Sequence, residues 1–367
     1  MDELFSCLNL QIFKNTHVSS SIRLTARKRL VSTLSEEILS RPESDAFLIP
    51  SEYTLCRRFS ISRVTVRLAL ADLETKGLIY RKHGKGTFAH GRSTRVQKGI
   101  AILLKSSGAL KCWPISELVR GMQSHHGSQQ SPVTFLTQSP KEWSSELTNS
   151  LAGVIVFPED VTNEDIDVLK NWKLPFLFAS KTNLPGPRIS LGQAEAARVL
   201  TEKLLMLGHQ RLALITGYHS SLDAPKREGV RQALRSVGLD PSQVTEIALS
   251  SGEEASLGAI NEVLKARVRP TGWIAFDDSF AAMLSYCARR QGLTIPNDIS
   301  VVSFHDFSYL RYLEPSLATV KFEFFVAGQR AAESLHHAFL TGEELKDICF
   351  EPSYVLGQSI ASNRGNL

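Results

Sequence analysis

Two arginines four residues apart are the first side chains in this sequence whose type and spacing suggest chemistry. Arg63 and Arg67 lie in a stretch with helical periodicity, so both would project from one side of a helix. A guanidinium group can donate two hydrogen bonds to guanine O6 and N7 or clamp a phosphate, and the hydroxyl of Thr65 would lie nearby. The pattern predicts a helix that contacts DNA. The alternative, that both arginines are merely solvated, leaves the basic segment that follows unexplained.

A basic, glycine-rich turn follows this helix. The glycines of 83–86 let the backbone approach a narrow groove closely, while His83 and Lys85 supply donors and positive charge. The flanking segments 78–80 and 87–89 are typical of two short strands, so the turn would be the tip of a hairpin. The segment is not a phosphate loop, because the upstream glycine is missing and no strand and helix enclose it.

Three predicted helices position this hairpin. The first spans about residues 24–40, where apolar residues recur every four positions. Ser51 and Ser62 are good N-caps for the second and third helices, and Gly77 suits the end of the third. The predicted core comprises Leu30, Leu34, Ile38, Leu55, Phe59, Val66, Ala69, Leu70 and Leu73. Three helices followed by a two-stranded hairpin form a winged helix-turn-helix.

Positive charge is concentrated in the same part of the chain. Residues 21–98 carry 16 Lys and Arg against 7 Asp and Glu, whereas residues 99–367 sum to −3. A basic module joined to a mildly acidic body is typical of a nucleic-acid reader with a separate second domain. A solvated basic face would give the same numbers, so charge alone does not decide.

Residues 22–90 resemble the DNA-binding domain of the GntR family of bacterial transcription regulators. The resemblance rests on Ile49-Pro50-Ser51-Glu52, on the segment 61–79 and on Gly84-Lys85-Gly86-Thr87-Phe88. From the motif and the resemblance together, the predicted DNA-binding residues are Ser51, Tyr53, Ser62, Arg63, Thr65, Arg67, His83, Gly84 and Lys85. Tyr53 stands where the family usually has an arginine, and Val64 replaces a frequent threonine; both changes bear on the operator sequence.

The pattern changes after residue 98 to short apolar runs that alternate with amphipathic stretches. The predicted strands are Ile100–Leu104, Val133–Leu136, Val154–Phe157, Phe176–Ala179, Arg211–Ile215, Trp273–Phe276 and Ile299–Phe304. The predicted helices are Ala194–Leu207, Lys226–Val237, Glu254–Lys265 and Ser279–Gln291. Continuous apolar strands between such helices indicate a parallel sheet covered on both faces. The segment is long enough for two lobes with a ligand cleft at the carboxyl ends of the strands.

The order of motifs over about residues 150–357 resembles the LacI-type effector-binding domain, a relative of periplasmic sugar-binding proteins. The motifs include Leu207–Gly217, Lys226–Leu234, Phe276–Ala281, Ile295–Asp306 and Pro315–Val320. The resemblance implies an effector site with Lys226, Asp278 and His305, where the family usually has an arginine, an aspartate and an acidic residue. A sugar is the leading effector, although Lys226 with His305 would suit a carboxylate or phosphate better than a neutral pentose.

Several of these residues have structural alternatives. Asp278 could simply cap a helix, and Lys226 could be a solvated residue of a first turn. His209 is assigned to structure, between a helix and the next strand. The adjacent pairs His125-His126 and His336-His337 point about 100° apart on a helix, so neither pair suits a metal site.

The sequence therefore predicts an α/β protein with an N-terminal winged helix-turn-helix and a two-lobed, periplasmic-binding-protein-like effector domain. The expected organisation is an unassigned leader (1–21), a DNA-binding domain (22–90), a linker (91–98) and an effector-binding and dimerisation domain (99–367). The expected function is ligand-responsive repression of carbohydrate-related genes. A homodimer would bind double-stranded operator DNA and a small-molecule effector in the cytoplasm, with no enzymatic activity, cofactor, metal or membrane partner.

Three other functions fit the sequence less well. An enzymatic body using pyridoxal phosphate would need a Schiff-base lysine in a recognisable site. A solute-binding protein for transport would have an export signal, which the N-terminus lacks, and no basic head. A GntR regulator with the small lyase-like ligand domain would need only about half of this body.

The five cysteines lie far apart, which favours separate thiols over a disulfide framework.

Overall fold

A computed structural model describes most of the chain. The described residues are 25–41, 45–91, 98–104, 113–124, 132–158, 161–180, 182–217, 220–249, 252–307 and 312–363. The predicted leader and linker residues 92–97 lie outside them. Two compact units are present: the chain up to Phe178 with Gly328–Lys346, and Ala179–Ala327 with Asp347–Leu367. Across the described ranges, no helix combines the length and apolar character needed to cross a membrane.

The N-terminal part of the first unit, residues 25–91, is called the head. Its elements are α1 (25–40), β1 (Phe47–Leu48), α2 (Glu52–Phe59), α3 (Arg63–Thr75), β2 (Ile79–Lys82) and β3 (Gly86–Ala89). Every predicted core residue of the three helices is buried except Phe59, which is half-buried against the same cluster. Gly77 ends α3 in the left-handed region with φ of 69°. The predicted winged helix-turn-helix is confirmed.

One strand of the head escaped prediction. β1 pairs antiparallel with β3, which makes the sheet three-stranded in the order β1-β3-β2. With only two residues, β1 is too short to show the alternation by which a strand is recognised in sequence.

A parallel sheet forms the rest of the first unit. Its strands are β4 (Gly99–Leu103), β5 (Val133–Leu136), β6 (Leu151–Val156) and β7 (Phe176–Phe178), in the order β5-β4-β6-β7. The helices between them are α4 (Trp113–Ser124), α5 (Ser145–Ser150) and α6 (Asn163–Asn171). The central strands β4 and β6 are buried at every residue, as expected for a sheet covered on both faces.

The second unit contains a six-stranded sheet. The elements of this unit, in chain order, are β8 (Ile189–Ser190), α7 (Gln193–Met206), β9 (Leu212–Thr216), α8 (Ser220–Ser236), β10 (Thr245–Ala248), α9 (Glu253–Lys265), β11 (Gly272–Ala275), α10 (Asp278–Arg290), β12 (Ser300–Phe304), β13 (Ala318–Lys321), β14 (Ile348–Cys349) and β15 (Ser353–Val355). The sheet order is β10-β9-β11-β12-β13-β15, while β8 and β14 pair separately. One apolar cluster includes α9 and α10, and another includes α7 and α8. Between β13 and β14 lies α11 (Phe324–Thr341), whose residues from Gly328 onward belong to the first unit.

The predicted α/β class is confirmed, with differences in detail. Predicted strands agree with observed ones to within three residues at each end. β15 runs antiparallel to β13, so the sheet is not purely parallel. α8 begins at Ser220, six residues before the predicted start, and therefore includes Pro225.

We expect Gly229→Ala to destabilise the second unit by about 1–3 kcal/mol, the usual cost of overpacking. A Cβ at Gly229 in α8 would lie 1.9 Å from the carbonyl oxygen of Ala194 in α7. Gly258→Ala is the matched control: its Cβ would meet no heavy atom within 4 Å, so the variant should gain about 0.5–1 kcal/mol from helix propensity. Chemical denaturation of both full-length variants measures the difference. Equal effects would contradict the close contact of α7 with α8.

Candidate DNA-binding surface and effector site

The arginine pair, Arg63 and Arg67, lies on the exposed face of α3. Their side chains are 71% and 59% exposed and both lie beside the same carboxylate of Glu52, so the prediction that they project from one side of the helix is confirmed. Ser62 is the N-cap of this helix, and its Oγ atom accepts a hydrogen bond from the backbone amide of Thr65 at 3.2 Å.

A carboxylate holds the arginine pair together. The Nε atoms of Arg63 and Arg67 lie 3.0 and 3.1 Å from Oε2 of Glu52, the first residue of α2. Burial alone would raise the pKa of the Glu52 carboxyl, but the hydrogen bonds from both arginines outweigh it and lower the pKa. From the sequence, Glu52 is expected only to favour the start of a helix. The distance between Glu52 and α3 depends on how α2 and α3 pack, which the sequence pattern does not show. The carboxylate fixes the distance between the two guanidinium groups before any DNA is present.

Thr65 differs from its expected role. The residue is 5% exposed, and its hydroxyl hydrogen-bonds to Ser62 Oγ at 2.9 Å. Thr65 therefore stabilises the start of α3 and is not an exposed donor in this structure. The predicted contacts Ser51 and Tyr53 are exposed, and Ser51 also caps α2 by accepting the Thr54 amide.

The wing comprises β2, β3 and the turn 83–85 between them. His83, Gly84 and Lys85 are all exposed at its tip. Gly84 has φ of 68°, a conformation that a residue with a side chain adopts only with strain. The structure thus presents a narrow, basic hairpin beside the helix that carries the arginine pair.

Lys226, one of the residues predicted for the effector site, is buried and makes close contacts with other groups of the protein. Its side chain is buried, and Nζ donates a hydrogen bond of 2.6 Å to the carbonyl oxygen of Phe276. Asp223 Oδ1 lies 3.8 Å from the ammonium group. The rings of Phe276 and Phe304 lie 5.5 and 4.8 Å from it. The alternative interpretation of Lys226 as a solvated residue of a first turn is wrong, because its side chain is buried.

His305 follows the carboxyl end of β12 in an unusual conformation. Its φ is 77°, in the left-handed region that non-glycine residues rarely adopt. The residue is 6% exposed, and its Nδ1 atom has no hydrogen-bond partner among the described residues. Burial, and secondarily the Lys226 ammonium, lowers the pKa of His305 to about 3 despite the nearby Asp277 carboxylate. A strained, neutral imidazole with an unpaired nitrogen is typical of a ligand site.

Two carboxylates complete this group at the start of α10. Asp277 is the N-cap of α10 and accepts a hydrogen bond from the Ser279 amide at 2.9 Å. The N-cap is thus one residue earlier than Asp278, which the structural alternative assigned to this role. Asp278 is buried and also accepts the Ser279 amide, at 3.0 Å. Asp277 Oδ2 lies 3.8 Å from His305 Nδ1. These residues follow β11 and β12, at the edge where ligands bind in open parallel sheets.

The same residues form a possible metal-ligand set. Asp277, Asp278 and His305 each place one ligand atom within 4.8 Å of the others. The Lys226 ammonium and the positive N-terminal end of α10 oppose a cation there. Carboxylates beside a neutral imidazole instead suit hydrogen bonds to hydroxyl groups.

Two further histidines have structural partners. His209 Nδ1 and Nε2 lie 3.0 Å from Thr271 Oγ1 and the Ala361 carbonyl oxygen, which confirms its structural assignment. His336 Nε2 lies 3.0 Å from the carbonyl oxygen of Lys98. His125 and His126 lie outside the described residues.

Family models match both parts of the chain. Residues 26–89 match the gntR family of bacterial regulatory proteins. Residues 201–360 match the periplasmic binding protein-like domain.

Curated relatives match this chain, two of them over most of its length and one over about half. The arabinose metabolism transcriptional repressor of Geobacillus stearothermophilus is 26% identical, over 89% of this chain and 96% of its own length. The protein of the same name from Halalkalibacterium halodurans is 25% identical, over 85% and 90%. The ribose operon repressor of Haemophilus influenzae is 29% identical, over 49% and 55%.

Solved structures share the fold of the body. A LacI family transcriptional regulator from Enterococcus faecium with bound ribose has a TM-score of 0.62 at 22% identity, covering 73% of this chain and all of its own. The complex of the regulator CelR with cellobiose has a TM-score of 0.60 at 17% identity, covering 82% and 91%. The chain thus joins a winged helix-turn-helix of the bacterial gntR regulatory family to a periplasmic binding protein-like domain with the fold of LacI-family regulators.

Proposed function

We propose that this protein is a transcriptional repressor whose affinity for operator DNA changes when a small molecule binds to its second unit. The observation that carries the proposal is the exposed arginine pair on α3, prearranged by Glu52. In this arrangement the first turns of α3 enter the major groove and the wing reaches the adjacent minor groove. A homodimer in the cytoplasm reads a two-fold operator. No catalytic step is part of the proposal, since the relatives that match over most of the chain are named repressors.

The proposed effector is a neutral sugar that binds at Lys226, Asp278 and His305. The names of the relatives, arabinose and ribose repressors, support a sugar. The charges favour a neutral one: the Lys226 ammonium already bonds to a carbonyl oxygen and lies beside Asp223, while His305 is uncharged. The neighbouring carboxylates would repel an anion. A sugar thus remains the leading effector, but the proposal departs from the sequence-based expectation that Lys226 with His305 would suit a carboxylate or phosphate better than a neutral pentose.

We expect the double substitution Arg63→Ala with Arg67→Ala to weaken operator binding at least about 30-fold at roughly physiological salt, because each bidentate arginine contributes about 1–3 kcal/mol. Fluorescence anisotropy measures this on a palindromic duplex that the wild type selects from a random pool. The control removes two exposed arginines outside the head, Arg120→Ala with Arg231→Ala. Undiminished binding by the head variant would overturn the assignment of α3.

A thermal-shift screen identifies the effector class. Neutral sugars, including L-arabinose and D-ribose, should raise the melting temperature, since a ligand at about 100 times its Kd stabilises the folded state by about 2.7 kcal/mol. Matching sugar acids and sugar phosphates should not. Asp278→Asn should reduce the shift, while Lys265→Met, on an exposed surface of the same unit, should leave it unchanged. Stabilisation by the anionic compounds alone would refute the charge argument.

The low pKa of His305 makes a further prediction about stability. Below about pH 6.5 the unfolded histidine takes up a proton that the folded one refuses until about pH 3. The second unit should therefore lose stability as pH falls through this window. His305→Asn, which tolerates a positive φ, should flatten the acid limb of a melting-temperature profile. His83→Asn on the exposed wing is the control, and a parallel loss in both variants would contradict the burial of a neutral His305.

A further inference from the structure

The C-terminal end of α11 lies against the head. Leu340, one residue before the helix ends, packs on the hydrophobic cluster of the head. Its carbonyl is one of the last four of the helix, which have no amide partner in the following turn unless a cap supplies one. Gly342, with φ of 77°, supplies such a bond only to Ala338, at 2.8 Å.

Two helices of the head bind this one carbonyl oxygen. Ser35 of α1, fully buried, donates its hydroxyl to the oxygen of Leu340 at 3.0 Å. Lys76, the C-cap residue of α3, donates from Nζ to the same oxygen. One donor lies on α1, which shares an apolar cluster with α3, and the other ends α3, the helix that carries the arginine pair. The contact therefore constrains the direction of α3 itself.

An aromatic ring and a second lysine complete the contact. Lys76 Nζ lies 5.8 Å and Lys98 Nζ 4.6 Å from the ring centre of Phe339. Burial, with a smaller effect of Lys98, lowers the pKa of Lys76 to about 8, although Asp72 opposes the shift. His336 bonds to the backbone of Lys98, where the chain enters β4. The head is thus held by side chains, in addition to the covalent linker.

We propose that Phe339 and Leu340 form a docking point for the head, and that Lys76 is the positioning residue which sets the direction of the recognition helix relative to α11. The inference rests on the proposed operator binding. It goes beyond it, because DNA contact requires only the head. In a dimer, a fixed head direction sets the half-site spacing that the protein accepts. Phe324, the first residue of α11, packs on His305 with ring centres 5.7 Å apart, so this helix contacts functional residues at both ends.

Docking is tested first without DNA or effector. In the Ser35→Cys variant of the full chain, the thiol should react with a maleimide at least about ten times more slowly than the thiol of Ser40→Cys, on the exposed end of the same helix. Adding Phe339→Ala with Leu340→Ala should accelerate the reaction at position 35 only. Adding His337→Ala, whose exposed ring pairs with Glu343, should not. Equal rates with and without the Phe339 and Leu340 substitutions would overturn the docking point.

The positioning role is tested on DNA. The wild type should lose at least about tenfold affinity when the spacer of its selected palindrome changes by three base pairs, which rotates one half-site by roughly 100°. Lys76→Met and the Phe339→Ala, Leu340→Ala variant should lose less than about threefold, with unchanged affinity for a single half-site. Wild-type spacing preference in these variants would overturn the inference. A wild type that binds no duplex would instead refute the proposed function, while the thiol assay would still decide on docking.

Discussion

The DNA-binding surface depends on how the two ends of one helix are held. At its start, α3 is capped by Ser62, and a carboxylate from α2 fixes the arginine pair. At its end, Gly77 takes the left-handed conformation and Leu78 donates its amide to Leu73 at 3.0 Å. The buried stripe fixes rotation about the axis. With both ends and the rotation fixed, the backbone positions from which the two arginines extend are fixed, and so is the face of α3 that they present to base edges.

The candidate effector site contains a buried charge, the ammonium group of Lys226. An ammonium group cannot be buried alone, and here it meets a carbonyl oxygen, a carboxylate and two aromatic faces. The same ammonium helps to keep His305 neutral. A neutral imidazole can donate and accept, so the group as a whole offers both kinds of partner to a hydroxyl. Among neutral ligands, its selectivity would arise from these hydrogen-bond partners.

Most of the head and the strands with apolar patterns could be predicted from sequence, because hydrophobic periodicity and capping residues are local signals. The winged helix-turn-helix, the stripe from Val66 to Leu73 and the α/β body follow from them. What escaped prediction depends on distant residues: the Glu52 bridge, the burial of Thr65, and the charge balance around Lys226. The sequence pattern does not predict β1, β8, β10, β13, β14 or β15, since pairing with a partner strand, not composition, defines strands of two to four residues.

The contact between Lys76 and the end of α11 illustrates why a buried charge need not be a source of stability. A pKa lowered to about 8 means that the protein environment disfavours the ammonium form relative to water. The apolar packing of the half-buried Leu340 is the stabilising part of the contact. What the ammonium adds is direction, because its hydrogen bond is satisfied only when the carbonyl of Leu340 points at the end of α3. A costly polar contact within an apolar one is the arrangement expected where orientation matters more than affinity.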